Sequence, residues 1–266
     1  TQGITFVAAS GDWGGKDIPP AVCFSASAPS PCGAMLVGVG IPAASPHVTA
    51  VGGTNLITTY NPPSLNSAYV HENADSDALV GDIFYGTSAT GAIWGSGGGI
   101  SSYFAKPSYQ NLVSQQYLPA KAKNWRTIPD VALEMGGCPG GDLYFELNGV
   151  CPPGRSFDWT PIAGSFFGFV GTSLSSPDFV GLLALKVQSE GGRLGNENYD
   201  IYALAAAQAS GSENTVFRQN IPGNNGVYKT APGYNLVLGN GTVIANHFVR
   251  GASLPVAGVP QTATNP

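Results

Sequence analysis

The sequence predicts an α/β fold with a mainly parallel sheet. Short apolar runs alternate with loops rich in Gly and Pro, strand-like and helical segments follow one another, and one helical segment is apolar on nearly every face. With 266 residues and 43% hydrophobic composition, the chain can form one large domain with a substantial core. No internal repeat or composition shift divides it.

Five apolar runs are expected to form strands, because each is short and is followed by turn residues. They are residues 4–9, 35–39, 47–52, 127–133 and 166–170. Residues 55–96 hold few periodic segments and many turn residues, so they are expected to be a long insertion. Residues 251–266 contain too few packing residues for an element and are expected to be a tail.

Helical patterns occur at residues 175–189 and 197–208. The first, SSPDFVGLLALKVQS, carries apolar residues over most of its surface, which is typical of a helix buried in a large core. Pro177 is expected in its first turn, where a missing N–H costs nothing. Asp178 is expected to stabilise the same helix end through the helix dipole.

The composition excludes several classes of function. Charged residues make up only 10% of the chain, and its 11 basic residues are scattered singly, so there is no basic stripe for nucleic acid. No apolar run approaches the roughly 18 residues of a membrane span. The low charge and an isoelectric point near 5.0 favour a secreted protein that works in acid.

Four cysteines form two local pairs, Cys23 with Cys32 and Cys138 with Cys151. Each pair brackets a loop without CxxC metal spacing and without a nearby histidine, so two disulfides in an oxidising compartment are expected. Four cysteines allow three pairings, and the spacing alone leaves the other two open.

Two stretches place reactive side chains at the ends of apolar runs. FVAASGDWGG leads from the first strand directly into Asp12, although Asp-x-Gly is also common in solvated turns. FVGTSLSSP places Ser173 after a tight turn at the head of the apolar helix. Helix N-terminal N–H groups can stabilise the negative charge that develops near a nucleophilic serine, but Ser173 could equally cap the helix.

Further stretches give these two sites a family context. SPHVTAVGGTNL, GSGGGISSYFAKPSYQ, RTIPDV and PGNNGVYKTAPGYNLVLGNG follow in this order from residues 45, 95, 126 and 222. Together with SGDWG and GTSLSSP, they resemble the sedolisin family of serine-carboxyl peptidases from Thr1 to about Phe248. The resemblance implies the C-terminal part of a subtilisin-like, three-layer catalytic domain, here residues 1–250, that hydrolyses polypeptides in acid through an acyl-enzyme.

The resemblance also assigns roles to individual residues. Ser173 matches the nucleophile, and Asp12 matches an aspartate that helps to form the oxyanion hole. A protonated carboxyl donates a hydrogen bond whereas an ionised one only accepts, so Asp12 would tie activity to acid. A substrate groove and the wall of a specificity pocket are expected at Gly97, Gly98 and Gly99 and at Trp13, respectively, with ordinary packing as the alternative for Trp13.

The base is expected to lie outside this sequence. None of His47, His71 and His247 has the setting of a histidine in a Ser-His-Asp triad. The family uses a glutamate, oriented by an aspartate one helical turn later, upstream of the Ser-Gly-Asp signature. No Glu-x-x-x-Asp pair occurs in the sequence, which begins at Thr1.

Three accounts follow from the missing base. An upstream fragment of the same precursor could stay bound as a second chain, or this chain could be one piece of an ordinary sedolisin. A non-catalytic extracellular structural or filament protein that reuses the fold is the alternative outside catalysis. The presence of both Asp12 and Ser173 favours the two catalytic accounts.

The family further implies one calcium ion near the C-terminus, held by two aspartates and backbone carbonyls. The matching positions here are Asn220 and Asn235. Calcium prefers carboxylates to amides, so neither a tightly bound calcium nor another cofactor is expected. Arg126 and Asp130 are expected to form a structural ion pair, with a catalytic set as the alternative.

Overall fold

The computed structural model of the chain describes residues 2–18, 21–25, 27, 32–61, 66–78, 89–90, 93–136, 155–156, 158–211 and 215–250. The predicted pair of Cys138 and Cys151 and the predicted tail, residues 251–266, lie outside these residues. The Cys23–Cys32 disulfide is formed as predicted.

The strands of the described residues are β1 (Val7–Ala9), β2 (Gly33–Ala34), β3 (Thr49–Asn61), β4 (Asn66–Asp75), β5 (Asp77–Ala78), β6 (Ala89–Thr90), β7 (Ile93–Trp94), β8 (Gly99–Ala105), β9 (Trp125–Ile128), β10 (Val131–Glu134), β11 (Asp158–Ile162), β12 (Ser165–Phe169), β13 (Phe217–Arg218), β14 (Gly223–Asn224) and β15 (Thr242–Val243). The α-helices are α1 (Thr172–Glu190), α2 (Asn198–Ser210) and α3 (Ala245–Val249). Short 3₁₀ turns occur at Ala21–Phe24, Ser108–Asn111 and Ala120–Lys123.

The fold is built on a mixed sheet whose central strands are parallel, which confirms the predicted α/β class. Its strand order is β13–β15–β10–β3–β4–β14, and β1 pairs with β3 as well. β1, β3, β10 and β15 run parallel, so their carboxyl ends lie at one edge of the sheet. β3 and β4 form a long antiparallel hairpin in the first part of residues 55–96, and the assignment of these residues as an insertion stays a prediction.

The two faces of the central strands pack against different parts of the chain. Val51 and Val131 lie in a core cluster with Phe179 of α1 and Tyr202 of α2. Their neighbours Ala50 and Ala132 point to the opposite face, where they join separate clusters that include Ile128 and Leu238, respectively. Successive residues of these strands therefore face opposite sides of the sheet, and both sides are covered by other parts of the chain.

Both predicted helices are present, but two details differ from the prediction. Pro177 is the sixth residue of α1 and not in its first turn, so the carbonyl of Ser173 loses the hydrogen bond that residue 177 would donate. α1 is also not buried all round by the described residues, because Val180, Leu185 and Val187 are 49%, 52% and 40% exposed.

Two predicted strands also differ. Residues 35–39 form isolated bridges with Lys16 and Ile18 and no strand, and the run 127–133 breaks at Pro129 and Asp130 into β9 and β10. Among the helices described above, none has the length and apolar content needed to cross a membrane.

Candidate active site

Asp12 lies in a tight loop that follows β1 at the carboxyl edge of the sheet. The loop is held by backbone hydrogen bonds, since Ser10 donates to the carbonyl of Val51 at 2.9 Å and Gly97 donates to the carbonyl of Gly11 at 2.7 Å. Gly95 donates to the carbonyl of Asp12 itself at 2.9 Å. The backbone beneath the Asp12 carboxyl group is therefore fixed by contacts on both sides of it.

Thr172, the first residue of α1, joins this loop to the helix. Its backbone N–H and its hydroxyl both donate to Asp12 Oδ1, at 2.6 and 2.8 Å. The hydroxyl oxygen in turn accepts the N–H of Gly11 at 3.1 Å. Residues about 160 positions apart in sequence are thereby brought together, with Asp12 Oδ1 engaged and Oδ2 directed elsewhere.

Ser173 lies beside the same carboxyl group. A Cβ placed on Gly171 would be 2.8 Å from Asp12 Oδ2 and 3.2 Å from Ser173 Oγ, so these two oxygens cannot be farther apart than the sum of the two distances. Gly171 is needed for this approach, because its φ is 98° and a side chain would collide with the Asp12 carboxyl. Ser173 is exposed to solvent, whereas Thr172 is buried.

The environment of Asp12 favours its protonated form. Burial raises the pKa of Asp12 above the ordinary aspartate value, and the two hydrogen bonds from Thr172 oppose this rise only in part. With Oδ1 accepting two donors, Oδ2 is the oxygen left to hold a proton, and it faces Gly171 and Ser173. The site therefore presents a hydroxyl and a carboxyl side by side.

Asp17 is a second carboxyl group in the site, and the sequence analysis missed it. Its two carboxyl oxygens would lie 2.4 and 2.5 Å from a Cβ on Gly11. Burial, together with the charge of Asp12, raises the pKa of Asp17 to about 7, although the Gly40 N–H that it accepts lowers it. In the sequence, only its position five residues after Asp12, in a Gly-rich loop, could have indicated that Asp17 belongs to the site.

Among the predicted substrate residues, Gly97 lies against the Asp12 loop, whereas Gly99 lies near Val39 and Tyr228. Gly97, Gly98 and Gly99 are buried, and a Cβ on Gly97 would come within 2.3 Å of the Ser10 carbonyl. Trp13 packs against Met35 and the Cys23–Cys32 disulfide. Both observations describe packing that positions Asp12, and contact of these residues with a substrate stays a prediction.

A second group of carboxyls surrounds the start of α1. The pKa of Glu134 is raised to about 7, first by burial and then by the charges of Asp158 and Asp178, and its Oε1 has no hydrogen-bond partner in the described parts of the chain. The pKa of Asp178 is raised to about 6 by burial and by Asp158, to which it is hydrogen bonded. Asp178 lies beyond the first turn of α1, so the expectation that it stabilises this helix end is wrong.

The histidines do not provide a base in the described structure. His47 precedes β3 and so lies at the amino edge of the parallel strands, opposite to the edge that carries Asp12. His71 is exposed on the hairpin strand β4, and the His247 ring contacts the carbonyl of Thr215 at 2.5 Å. Of the residues described, no histidine hydrogen-bonds to Ser173.

At one of the two calcium positions that the family resemblance implies, the side chain is hydrogen bonded within its own loop, and the absence of bound calcium stays a prediction. The Asn235 amide group donates to the carbonyls of Ala231 and Gly233 at 3.1 and 3.2 Å, and its oxygen accepts the N–H groups of Val237 and Leu238. The donated hydrogens occupy carbonyl oxygens of the kind a calcium ion would bind. Asn220 is exposed.

Arg126 and Asp130 form the structural ion pair that was predicted. Both side chains are fully buried, with Nη2 and Oδ2 2.5 Å apart. Asp130 also accepts the hydroxyl of Tyr202 at 2.9 Å and the N–H of Ala50 at 2.8 Å. The pair therefore fastens β9 and β10 to β3 and α2, away from the Asp12 carboxyl.

Comparison with known proteins gives consistent relatives. No family model matches the chain. Sedolisin of Pseudomonas sp. (strain 101) is 30% identical over 209 residues, which are 79% of this chain and 28% of that protein. Xanthomonalisin of Xanthomonas sp. (strain T-22) is 27% identical over 208 residues, 77% of this chain and 21% of that protein. Tripeptidyl-peptidase 1 of Rattus norvegicus is 30% identical over 193 residues, 69% of this chain and 24% of that protein.

A solved structure matches nearly all of the fold. It is that of Pseudomonas sedolisin, a serine-carboxyl proteinase, in complex with two molecules of pseudo-iodotyrostatin, with a TM-score of 0.63 and 26% identity. The match covers 92% of this chain and 54% of the solved one. The chain thus spans about a quarter of the length of the curated relatives and about half of the solved chain.

Proposed function

The chain belongs to the sedolisin family of serine-carboxyl peptidases, and from this premise we propose that it carries the nucleophile and the oxyanion acid of an endopeptidase that works in acid. The observation that carries the proposal is the shared position of Ser173 Oγ and Asp12 Oδ2 beside Gly171. One peptide carbonyl group can meet both oxygens there, as acyl transfer to a serine requires.

In the proposed reaction, Ser173 Oγ attacks the carbonyl carbon of a polypeptide substrate and gives its proton to a base. The C–N bond then breaks, the amine leaves with a proton returned by that base, and water hydrolyses the acyl-enzyme by the reverse exchange. Protonated Asp12 donates through Oδ2 to the oxyanion of each tetrahedral intermediate, a contribution of roughly 3–4 kcal/mol in comparable sites.

The base in this proposal is a glutamate with its orienting aspartate, carried by the segment that precedes these residues in the family. Glu134, Asp158 and Asp178 are carboxyls near the start of α1, but none of them hydrogen-bonds to Ser173 in the part of the chain that the structure describes. We propose that the preceding segment belongs to the same precursor and completes the site, as part of the same chain or as a second one.

Acid dependence follows from Asp12 in this proposal. Since its pKa is raised, Asp12 keeps its proton to a higher pH than an ordinary aspartate and loses the donor once pH exceeds that raised value. The Cys23–Cys32 disulfide and the low charge content support secretion into an oxidising compartment.

A covalent-labelling experiment tests the proposed function. The full-length encoded protein is incubated at about pH 4, where a buried aspartate is protonated, with a peptide aldehyde, and the reversible hemiacetal adduct is detected by mass spectrometry of the intact protein under non-denaturing conditions. We expect an adduct on Ser173 that is absent from Ser173→Ala and weaker in Asp12→Ala. A folded full-length protein that forms no adduct at any pH would reject the peptidase proposal and leave a non-catalytic protein on the same fold.

A further inference from the structure

The Asp12 loop runs beside a second stretch of backbone. Gly95 donates to the carbonyl of Asp12 at 2.9 Å, and the Gly95 carbonyl accepts the N–H of Gly14 at 3.0 Å. Gly98 donates to the carbonyl of Gly14 at 3.3 Å. Because the backbone of Asp12 is fixed against residues 95–98, the position of its carboxyl group depends on what holds these two stretches together.

Asn225 contacts both stretches. Its backbone carbonyl accepts the N–H of Gly15 at 2.9 Å, and its side-chain amide donates to the carbonyl of Gly98 at 3.4 Å. A Cβ placed on Gly14, whose φ is 58°, would lie 2.2 Å from the Asn225 carbonyl oxygen, so a glycine is needed for this close approach. One residue of the C-terminal part of the chain thus joins the Asp12 loop to its neighbouring stretch.

The side chain of Asn225 also fixes the turn that presents its own carbonyl group. The amide oxygen accepts the N–H groups of Val227 and Tyr228 at 3.4 and 2.9 Å, as in a turn closed by an asparagine side chain. The amide nitrogen donates to the carbonyl of Leu236 at 3.2 Å. The side chain is 0% exposed, so each of these hydrogen bonds lies in the interior, where losing one is costly.

We propose that Asn225 is a positioning residue for peptide hydrolysis, because its side chain holds the backbone that carries the Asp12 carboxyl group. The inference rests on the proposed function, in which Asp12 and Ser173 must meet the same carbonyl group. An oxyanion donor acts only within about 2.7–3.1 Å of the oxyanion, so a small displacement of the Asp12 loop removes its effect.

Asn198 provides a matched control. Its side chain is also 0% exposed, and its amide donates to the carbonyl of Val48 at 3.0 Å and to the hydroxyl of Tyr109 at 3.1 Å. Val48 directly precedes β3, so this amide lies at the amino edge of the parallel strands, opposite to Asp12. Replacing either asparagine by alanine should lower Tm, but only the loss at Asn225 is expected to reach the Asp12 carboxyl group.

Amide hydrogen exchange tests the positioning role without using activity. Asn225→Ala and Asn198→Ala are each introduced into the full-length encoded protein in a Ser173→Ala background, and exchange is followed by mass spectrometry in peptides that cover residues 11–16. We expect exchange in this segment to be at least about tenfold faster in the Asn225→Ala variant than in the parent, and unchanged in the Asn198→Ala variant. Equal exchange in all three proteins would overturn the proposal.

The conservative variant Asn225→Asp gives a second readout, which loss of packing alone would not move. The introduced carboxyl keeps the acceptor for Val227 and Tyr228, and in its protonated form it still donates one hydrogen bond to Gly98 or Leu236. Once ionised, it faces those carbonyl oxygens without a donor. The kcat of Asn225→Asp should therefore be near that of the wild type at about pH 4 and fall at lower pH values than in the wild type, with KM little changed.

Asn225→Ala should lower kcat roughly tenfold to hundredfold across the same pH range, since a displaced catalytic group is the cause at every pH. A wild-type pH profile in Asn225→Asp, or unchanged kcat in a variant with faster exchange, would overturn the positioning role and leave the peptidase proposal intact. Faster exchange at residues 11–16 in the Asn225→Ala variant of a protein whose wild type hydrolyses no peptide would reject the proposed function alone.

Discussion

Replacing Asp17 by Asn should stabilise the protein at neutral pH and leave its stability in acid almost unchanged. The Asp17 carboxyl lies against Gly11, next to Asp12, and its pKa is raised from 3.8 to about 7, first by burial and then by the Asp12 charge. An asparagine oxygen can still accept the Gly40 N–H, so the substitution removes the ionisable proton and keeps the hydrogen bond.

The magnitude follows from the size of the pKa change. Each pKa unit corresponds to about 1.4 kcal/mol, so ionising Asp17 in the folded state costs about 4 kcal/mol, reduced by solvent to about 2–4 kcal/mol. A raised carboxyl pKa means that the wild-type protein loses this stability as pH rises from about 4 through about 7. Below pH 3.8, both folded and unfolded states are protonated, and the substitution has little effect.

The assay is thermal unfolding of full-length Ser173→Ala protein with and without Asp17→Asn, at about pH 3.5 and about pH 8, on either side of the titration. The gain at the higher pH corresponds to a Tm increase of roughly 5–10 °C. Asp75→Asn, at an exposed carboxyl of β4, is the control and should change Tm little at either pH. An Asp17→Asn variant with the same Tm shift at both pH values would refute the reasoning, since an uncharged packing effect does not depend on pH.

Four further outcomes are expected. Asp12→Asn keeps the oxygen that accepts both hydrogen bonds from Thr172 and gains an amide donor that cannot ionise, so peptide hydrolysis should persist at about pH 7. Asp12→Ala removes the donor altogether and should lower kcat at about pH 4 by roughly 10²–10³. Thr172→Val removes the hydroxyl that donates to Asp12, so kcat should fall with little change in KM, and Thr172→Ser should restore it. Arg126→Met leaves Asp130 buried and unpaired, so urea unfolding should show a loss of about 3–5 kcal/mol. Isothermal titration with calcium should show no stoichiometric binding, because the Asn235 amide occupies the loop carbonyls, and a stoichiometric heat would contradict this assignment.

The convergence of Asp12 and Ser173 was expected from the family resemblance and does not follow from the parallel sheet alone. β1, which leads to Asp12, lies in the parallel sheet, but β12, which leads to Ser173, pairs antiparallel with β11 in a separate two-stranded sheet. The structure adds what spacing does not contain: Thr172 as the link between the two segments, and Gly171 as the point at which both side chains meet. Those contacts depend on side-chain positions that no periodicity encodes.

The main error, all-round burial of α1, has a physical explanation. Apolar periodicity reports which helix faces avoid water, but not which segment covers them. The buried face, with Phe179 and Leu183, meets the sheet, whereas Val180 and Val187 lack a cover among the described residues. The burial of Asp17 was missed for a similar reason. An aspartate in a Gly-rich loop is expected to be solvated, and only the structure shows that this side chain packs against Gly40.

The distribution of buried charges connects the chemistry of the site to the conditions in which the fold is stable. Of the buried carboxyls away from the site, Asp130 pairs with Arg126 and Glu197 pairs with Lys186, whereas Glu72 accepts the hydroxyls of Thr54 and Thr242. Around the nucleophile, burial raises the pKa values of Asp12, Asp17, Glu134 and Asp178, and the charges that act on the last three belong to other carboxyls. Such a group of acids is least costly to the fold when it is protonated. The same acid that makes Asp12 a hydrogen-bond donor therefore relieves the repulsion around it, so activity and local stability should decline together as pH rises.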